Sequence, residues 1–423
     1  MPHTSPTPLF LQIHALTEYH GVLLNRDDAG FAKRISIGGA TRTRVSSQCL
    51  KRHWRRFGGE HSLGSLDAPS SVRSRLTFVH EVVEPLVQEG QFSRALLEEV
   101  TRGVMDVVFQ RSASKKDTET ALKTPQVTII GEPELRYLRE VVRTSAQTCM
   151  GELEGDDLEG LASEDEATKK AAVAALEKAF KDVVPKNKEL KKNLRGLKLA
   201  AGLDAALFGR MVTSDVLARG DAAIHVAHAF TVHEEESESD YFSAVDDILE
   251  ELGEETGSGH INSSELNSGL YYTYVVVDVP LLVSNLVGCA RQDWRSADHT
   301  LARGVIESLV HLVAKVSPGA KLGSTAPYSY AKCLLLEAGS AQPRSFADAF
   351  SRPVATQGDV LGAAYEALAS EIGDFRAMYG DLGDVTLSAR GPKESLERAL
   401  GMSAVPLSDA AAWAAARLDG GTA

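Results

Sequence analysis

The side chains most able to bind a ligand form a basic cluster near the N-terminus. Between Arg26 and Arg56 the sequence has nine lysines and arginines and two aspartates, a local balance of +7. The whole chain has 423 residues, of which 58 are acidic and 45 are basic, and a formal net charge of -13. A basic segment in an acidic protein predicts one localised binding site for a polyanion. It excludes a protein that binds nucleic acid through a surface that is basic throughout.

The spacing of these residues favours phosphate as the ligand. Alternation in Ile35–Val45 around a Gly38-Gly39 turn puts Arg42 and Arg44 on one face of an extended segment. Ser46 and Ser47 are good N-caps for a helix that follows, and the free N–H groups and dipole of a helix N-terminus attract phosphate. The predicted contacts are Arg42, Arg44, Ser46, Gln48, Lys51, Arg52 and Arg55.

The distribution of charge along a strand and a helix favours a phosphodiester backbone over a single nucleotide. The sequence has no GxxxxGK[ST] motif, and Gly257-Ser258-Gly259 lacks the third glycine of a dinucleotide-binding loop. Seven phosphate contacts predict a salt slope, the slope of log binding constant against log salt concentration, of roughly -5 on single-stranded nucleic acid. The alternative is a surface helix whose basic face is solvated or pairs with the acidic segments Glu152–Glu166 and Glu234–Glu255.

Metal and covalent chemistry have weaker signals. His225, His228 and His233 fall in HVAHAFTVH, a spacing that neither a strand nor a helix gathers on one face. Neither HExxH nor GxSxG occurs. We therefore expect no metal, no cofactor and no catalytic residue. Isolated carboxylates still leave hydrolysis open, and these are Asp27, Asp28, Asp215, Asp246 and Asp247.

The cysteines and the apolar pattern predict a cytoplasmic protein outside the membrane. The four cysteines lie at least 44 residues apart and form no CxxC pair, which favours a reducing compartment. The most apolar stretch, Tyr274–Gly288, is interrupted by Asp278 and Pro280, and the N-terminus has no signal-peptide pattern.

Hydrophobic periodicity predicts a mixed α+β framework around the basic cluster. Predicted strands cover Leu9–Leu16, Gln126–Ile130, Leu270–Val279 and Lys332–Leu336. Predicted helices follow Ser46 and cover Val72–Gln110, Pro133–Cys149, Ala167–Val184, Leu197–Phe208, Thr300–Val316, Val360–Met378 and Leu407–Leu418.

Several long strings resemble one family in the same order along the chain. FLQIHALTEYHGVLLNRDD and IGGATRTRVSSQCLKRHWRR, followed by DAALFGRMVTSD, AAIHVAHAFTVH, DYFSAVDD and SSELNSGLYYTYVVVDV, resemble the backbone subunit of type I-E CRISPR Cascade, the CasC family. The likeness runs from about Leu9 to Val316 and weakens toward the C-terminus. It implies a ferredoxin-like palm of the RNA-recognition-motif type, with a helical fingers insertion and a β-hairpin thumb insertion.

The domain organisation that this resemblance implies has four parts. The palm with its basic segment comprises residues 1–58 and 265–345, and the fingers comprise residues 59–209. The thumb comprises residues 210–264, and a helical C-terminal region, 346–423, completes the palm.

The resemblance also implies a function and named contacts. The chain would bind crRNA, polymerise with other copies of itself and other Cascade subunits, kink the guide and present it for pairing with target DNA. The RNA-binding motif of the family falls on Lys33, Ser46, Gln48, Lys51, Arg52 and Arg55, and Met211 matches a residue that wedges at the kink. Asn25, Arg26 and Asp27 also belong to a shared motif, with guide contact and subunit contact both open.

Two other functions stay open at this point. One is a backbone subunit similar to those of type III complexes, which cuts RNA with a loop aspartate and a divalent metal. The other is a stand-alone single-stranded RNA-binding protein, which binds RNA without higher assembly.

For the Cascade hypothesis, acidic loops on one copy would meet the basic palm of the next.

Overall fold

An antiparallel sheet organises the first of the two units into which the chain divides. The computed structural model describes residues 8–110, 122–124, 126–183, 185–210, 216–217, 220–244, 260–320, 322–381 and 383–419. The first unit comprises Met1–Leu66, Ile224–Pro280 and Asp298–Ala423, and the second comprises Asp67–Ala223 and Leu281–Ala297.

Strands and helices alternate irregularly along the chain, as expected of the α+β class. The strands are β1 Phe10–Val22, β2 Arg34–Ile37, β3 Ala40–Val45, β4 Ser71–Ser74, β5 Thr128–Gly131, β6 Ile224–Val226, β7 Ala229–Thr231, β8 Glu236–Ala244, β9 His260–Asp278, β10 Cys333–Gly339 and β11 Asp384–Ala389. The helices are α1 Ser47–Arg56, α2 Glu84–Gln88, α3 Arg94–Phe109, α4 Glu132–Glu152, α5 Gly155–Gly160, α6 Glu166–Val183, α7 Asn187–Arg195, α8 Leu203–Phe208, α9 Val279–Val287, α10 Thr300–Lys315, α11 Leu322–Thr325, α12 Val360–Tyr379, α13 Glu394–Leu400 and α14 Leu407–Ala416.

In the first unit the strands follow the order β11-β10-β1-β9-β7-β3-β2, with β6 and β8 also paired to β9. β1 is central, and Phe10 pairs with Asp278 on one side and with Gly339 on the other. Its residues are buried on both faces, because side chains cover both sides of the sheet at this point. The hairpin β2–β3 lies at the far edge and leads directly into α1.

Each unit has its own hydrophobic core. In the first unit Leu16 and Tyr272 pack with Phe346 and Tyr365. The core of the second unit is built from α3, α4 and the segment before them, with Phe78, Leu97 and Leu138 fully buried.

The predicted α+β class is confirmed, and the four-part division stays a prediction. Residues 210–223 belong to the second unit, in whose core Val216 and Leu217 are buried. Leu281–Ala297 also belongs to the second unit, and Asn285 Nδ2 donates to the backbone oxygens of Ala206 and Asp221 there. β11, which the sequence pattern did not predict, extends the sheet beyond β10.

Candidate nucleic-acid interface

Helix α1 carries most of the predicted contacts and begins at a well-capped N-terminus. Leu50 and Trp54 are buried and fix which face of the helix points outward. The Ser46 hydroxyl oxygen accepts a hydrogen bond from the N–H of Cys49 at 3.3 Å, as the N-cap prediction requires. The first turn contains no acidic residue, so no side chain there offsets the positive end of the helix dipole.

A cation and a backbone N–H of the first helical turn meet one imidazole at this N-terminus. The N–H of Ser47 donates to His228 Nδ1 at 3.2 Å, and Arg44 Nη1 lies 3.2 Å from the same atom. Because Nδ1 accepts, His228 is neutral with its proton on Nε2. Burial and the charges of Arg44, Lys33 and Lys51 lower the pKa of His228. The side chain is exposed, so the group forms an outward-facing positive surface.

Asn25 joins Lys33 to the start of α1. Its side-chain oxygen accepts from the N–H of Ser46 at 2.9 Å, and its backbone oxygen accepts from the N–H of Lys33 at 3.0 Å. The Lys33 carbonyl in turn accepts from the N–H of Arg44 at 2.7 Å. Asp27 accepts from the N–H groups of Ala29 and Phe31 and shapes the next turn. Asn25 and Asp27 are therefore positioning residues.

Further along α1, Arg52 continues the positive charge. Burial raises the pKa of the Cys49 thiol to about 11, and the charges of Arg52 and Lys33 act in the opposite direction. Gln48 and Arg52 are exposed, while Lys51 and Arg55 are half-buried. We call this the basic surface, defined by Lys33, Arg44, Ser46, Gln48, Lys51, Arg52, Arg55 and His228.

Arg42, which was also predicted to contact RNA, lies in the interior of the first unit. Its side chain is fully buried, and its guanidinium donates to the backbone oxygens of Thr231 at 2.9 Å and Phe350 at 3.0 Å. Burial lowers the pKa of Arg42. Arg42 is therefore a structural residue that ties β3 to β7 and to the 3₁₀ turn Ala347–Phe350.

Part of the acidic segment pairs within the chain. Arg34 Nε lies 2.7 Å from both carboxylate oxygens of Glu235 and its Nη2 contacts Glu265. This is the intrachain pairing that the sequence left as an alternative, and it involves Arg34 instead of the basic surface. Glu234 and Glu236 on either side of Glu235 are exposed.

Other predicted residues lie apart from this surface or outside the described chain. Met211 is outside the described residues. His233 is buried and bonded to the backbone of Glu234 and Leu270, so the three histidines do not gather. Within the described ranges no three His, Cys, Asp or Glu side chains are placed to hold a metal ion. A search of the same ranges finds no helix long and apolar enough to cross a membrane.

A family model described as "CT1975-like protein" matches residues 11–412, which include every residue of the basic surface. The chain belongs to the CT1975-like family. This CT1975-like protein is 27% identical, with a TM-score of 0.72, to a chain of a solved "CRISPR RNA-guided surveillance complex, pre-nicking", and the match covers 96% of this chain and 100% of that one.

A second solved chain, from a "CRISPR RNA-guided surveillance complex", shares the fold of the CT1975-like protein. It is 22% identical with a TM-score of 0.64, and the match covers 96% of this chain and 99% of that one. No curated protein matches the sequence. The predicted likeness to CRISPR surveillance-complex subunits is thus confirmed at the level of family and fold, and the type I-E branch and the CasC family stay predictions.

His228 and Asn25 are the members of this site whose roles the sequence did not reveal. His228 was considered only as a metal ligand or a core or loop histidine, and nothing in its local sequence indicates a contact with a helix 181 residues away. Asn25 had a weak signal, since it lies in the NRDD string that carries part of the resemblance.

Proposed function

We propose that this CT1975-like protein is a non-catalytic subunit of a CRISPR RNA-guided surveillance complex that binds the guide RNA backbone. The observation that carries the proposal is the capped, acid-free N-terminus of α1, where Arg44 and the N–H of Ser47 contact His228, Lys33 bonds Arg44 through the backbone and Lys51 follows on the helix. Cations beside a helix N-terminus suit phosphate oxygens, which carry no sequence information. The likeness to chains of two solved surveillance complexes supports this assignment.

In finer detail, we propose a type I-E backbone subunit with a ferredoxin-like palm. Several copies would polymerise along crRNA with other Cascade subunits, kink the guide with Met211, and leave the intervening bases free to pair with target DNA. Residues 210–264, which include β8, would serve as the thumb.

The test is binding to guide-length single-stranded RNA across a salt series. Five cations, Lys33, Arg44, Lys51, Arg52 and Arg55, predict a slope of about -3.5, so affinity falls about 130-fold between 50 and 200 mM salt. The variant Lys51→Gln/Arg52→Gln removes two contacts and leaves a slope of about -2.1, or about an 18-fold fall.

Lys169→Gln/Lys170→Gln is the matched control, because it removes two exposed lysines from α6 in the other unit. Its slope should equal that of the wild type. Light scattering on the same samples should show mass growing in steps as protein is added to RNA. Equal slopes for all three proteins would refute the basic surface as the RNA site, and a single small complex would favour a stand-alone RNA-binding protein.

Catalysis is tested separately by incubating the assembled complex with complementary RNA and magnesium. Asp27 is engaged with two backbone N–H groups, and Asp215, Asp246 and Asp247 lie outside the described residues. We expect no cleavage. Cleavage that an aspartate-to-alanine variant removes would favour the type III-like alternative.

A further inference from the structure

Two tyrosines project from one loop of the first unit and are among its most exposed large side chains. Tyr328 is 74% exposed and Tyr330 is 62% exposed. Between them, Ser329 uses both its N–H and its carbonyl oxygen to bond the hydroxyl of Ser317, each at 3.0 Å. These two hydrogen bonds hold the backbone between the two tyrosines against Ser317.

The tyrosine loop, residues 317–320 and 326–330, is anchored next to α1. The N–H of Gly319 donates to His53 Nε2 at 3.3 Å, and His53 Nδ1 donates to the Cys49 carbonyl oxygen at 2.8 Å. The N–H of Ala320 donates to the Leu23 carbonyl oxygen at 2.9 Å. The tyrosine loop therefore lies between α1 and the segment that leads into Asn25.

The charge around this loop indicates what covers the rings. Arg52 directly precedes His53, which accepts a hydrogen bond from the loop, and the charges of Arg52 and Lys33 act on Cys49 of the same helix. Lys315 ends the helix that precedes the loop, while Lys332, which follows the loop, pairs with Glu18 at 2.9 Å. A polyanion with flat apolar groups meets both features, because cations hold its phosphates and aromatic faces hold its bases. An apolar protein surface would gain nothing from the cations.

We propose that Tyr328 and Tyr330 stack on unpaired bases of an RNA strand whose phosphates lie on the basic surface. This inference rests on the proposed RNA-binding function. Base stacking on an aromatic side chain is sequence-tolerant, so the platform would add affinity without selecting a guide sequence. Each Tyr→Ala change should weaken RNA binding by about 5- to 150-fold.

The test compares a uridine oligomer with an abasic oligomer that has the same number of phosphates. Tyr328→Ala/Tyr330→Ala should bind the uridine oligomer more weakly than the wild type, with an unchanged salt slope, and should bind the abasic oligomer equally well. Tyr328→Phe/Tyr330→Phe, the matched control, keeps both rings and should bind the uridine oligomer like the wild type. Lys51→Gln/Arg52→Gln should instead change the slope for both oligomers.

A second measurement does not depend on alanine variants. In Tyr330→Trp, stacking of uracil should quench the new indole fluorescence, whereas the abasic oligomer should leave it unchanged. Unchanged affinity of the double alanine variant for the uridine oligomer would overturn the stacking proposal, and so would an equal loss of affinity for both oligomers. A double alanine variant that differed from the wild type only in the mass of the RNA-free protein would also overturn it. If the wild type bound neither oligomer, the proposed function itself would fail.

Discussion

Arg42 and Arg44 lie two residues apart on one strand, yet the structure predicts opposite consequences for the same substitution. Arg42→Met keeps most of the apolar stem and removes the donors to the carbonyls of Thr231 and Phe350. Each buried carbonyl left without a donor costs about 1–3 kcal/mol, and relief of the buried guanidinium charge offsets part of that sum. We expect a loss of about 2–4 kcal/mol in the free energy of unfolding.

Arg44→Met is the matched control, because Arg44 is only half-buried and contacts the exposed His228. Its free energy of unfolding should change by less than about 0.5 kcal/mol, while its RNA-binding salt slope should fall by about 0.7. Urea unfolding followed by tryptophan fluorescence measures the first quantity. If Arg42→Met were as stable as Arg44→Met and lost RNA affinity instead, the assignment of Arg42 to the interior would be wrong.

Two other predictions use the backbone turn before α1 and a buried histidine. A Cβ on Gly38 would lie 1.5 Å from the Ser351 backbone oxygen at φ +60°, whereas one on Gly39 meets nothing within 4 Å at φ +81°. Gly38→Ala should therefore lower the free energy of unfolding by about 2–4 kcal/mol and Gly39→Ala by about 1 kcal/mol in urea titrations, and equal losses would contradict the close approach. Burial, His61 and Lys315 lower the pKa of His311 to about 4, so the folded state resists a proton that the unfolded chain binds near pH 6.5. Its contribution to stability is present above pH 6.5 and is lost as the pH falls toward 4. His311→Leu should flatten the pH dependence of the urea midpoint over that window, and an unchanged dependence would show that other groups cause it.

Local sequence predicted the parts of the site that local physics determines. The Ser46 cap follows from capping chemistry, and the structure confirms it. A turn at Gly38-Gly39 within an extended segment was also predicted, and in the structure it joins the paired strands Arg34–Ile37 and Ala40–Val45.

The parts that local sequence did not predict depend on contacts between distant segments. Alternation put Arg42 and Arg44 on one face, yet which of them is covered depends on the segment around Phe350, 308 residues away. The contact of His228 with the N-terminus of α1 also joins distant segments. So does the hydrogen bond from the N–H of Gly319 to His53, which lies 266 residues away in the sequence. Strand β11 has two buried and two half-buried residues in its central part. This pattern shows too little alternation of apolar and polar residues for the strand to be identified without its partner β10.

The central place of β1 has a consequence for the order of synthesis. Phe10–Leu16 leave the ribosome early, but their partners lie near Asp278 on one side and Gly339 on the other. A nascent chain shorter than about 340 residues therefore exposes one or both edges of its most buried strand, and such edges readily pair with other chains. Translation must pass Gly339 before both neighbours of β1 are complete, so we expect premature termination before the Gly339 codon to produce aggregation instead of a shortened but working protein.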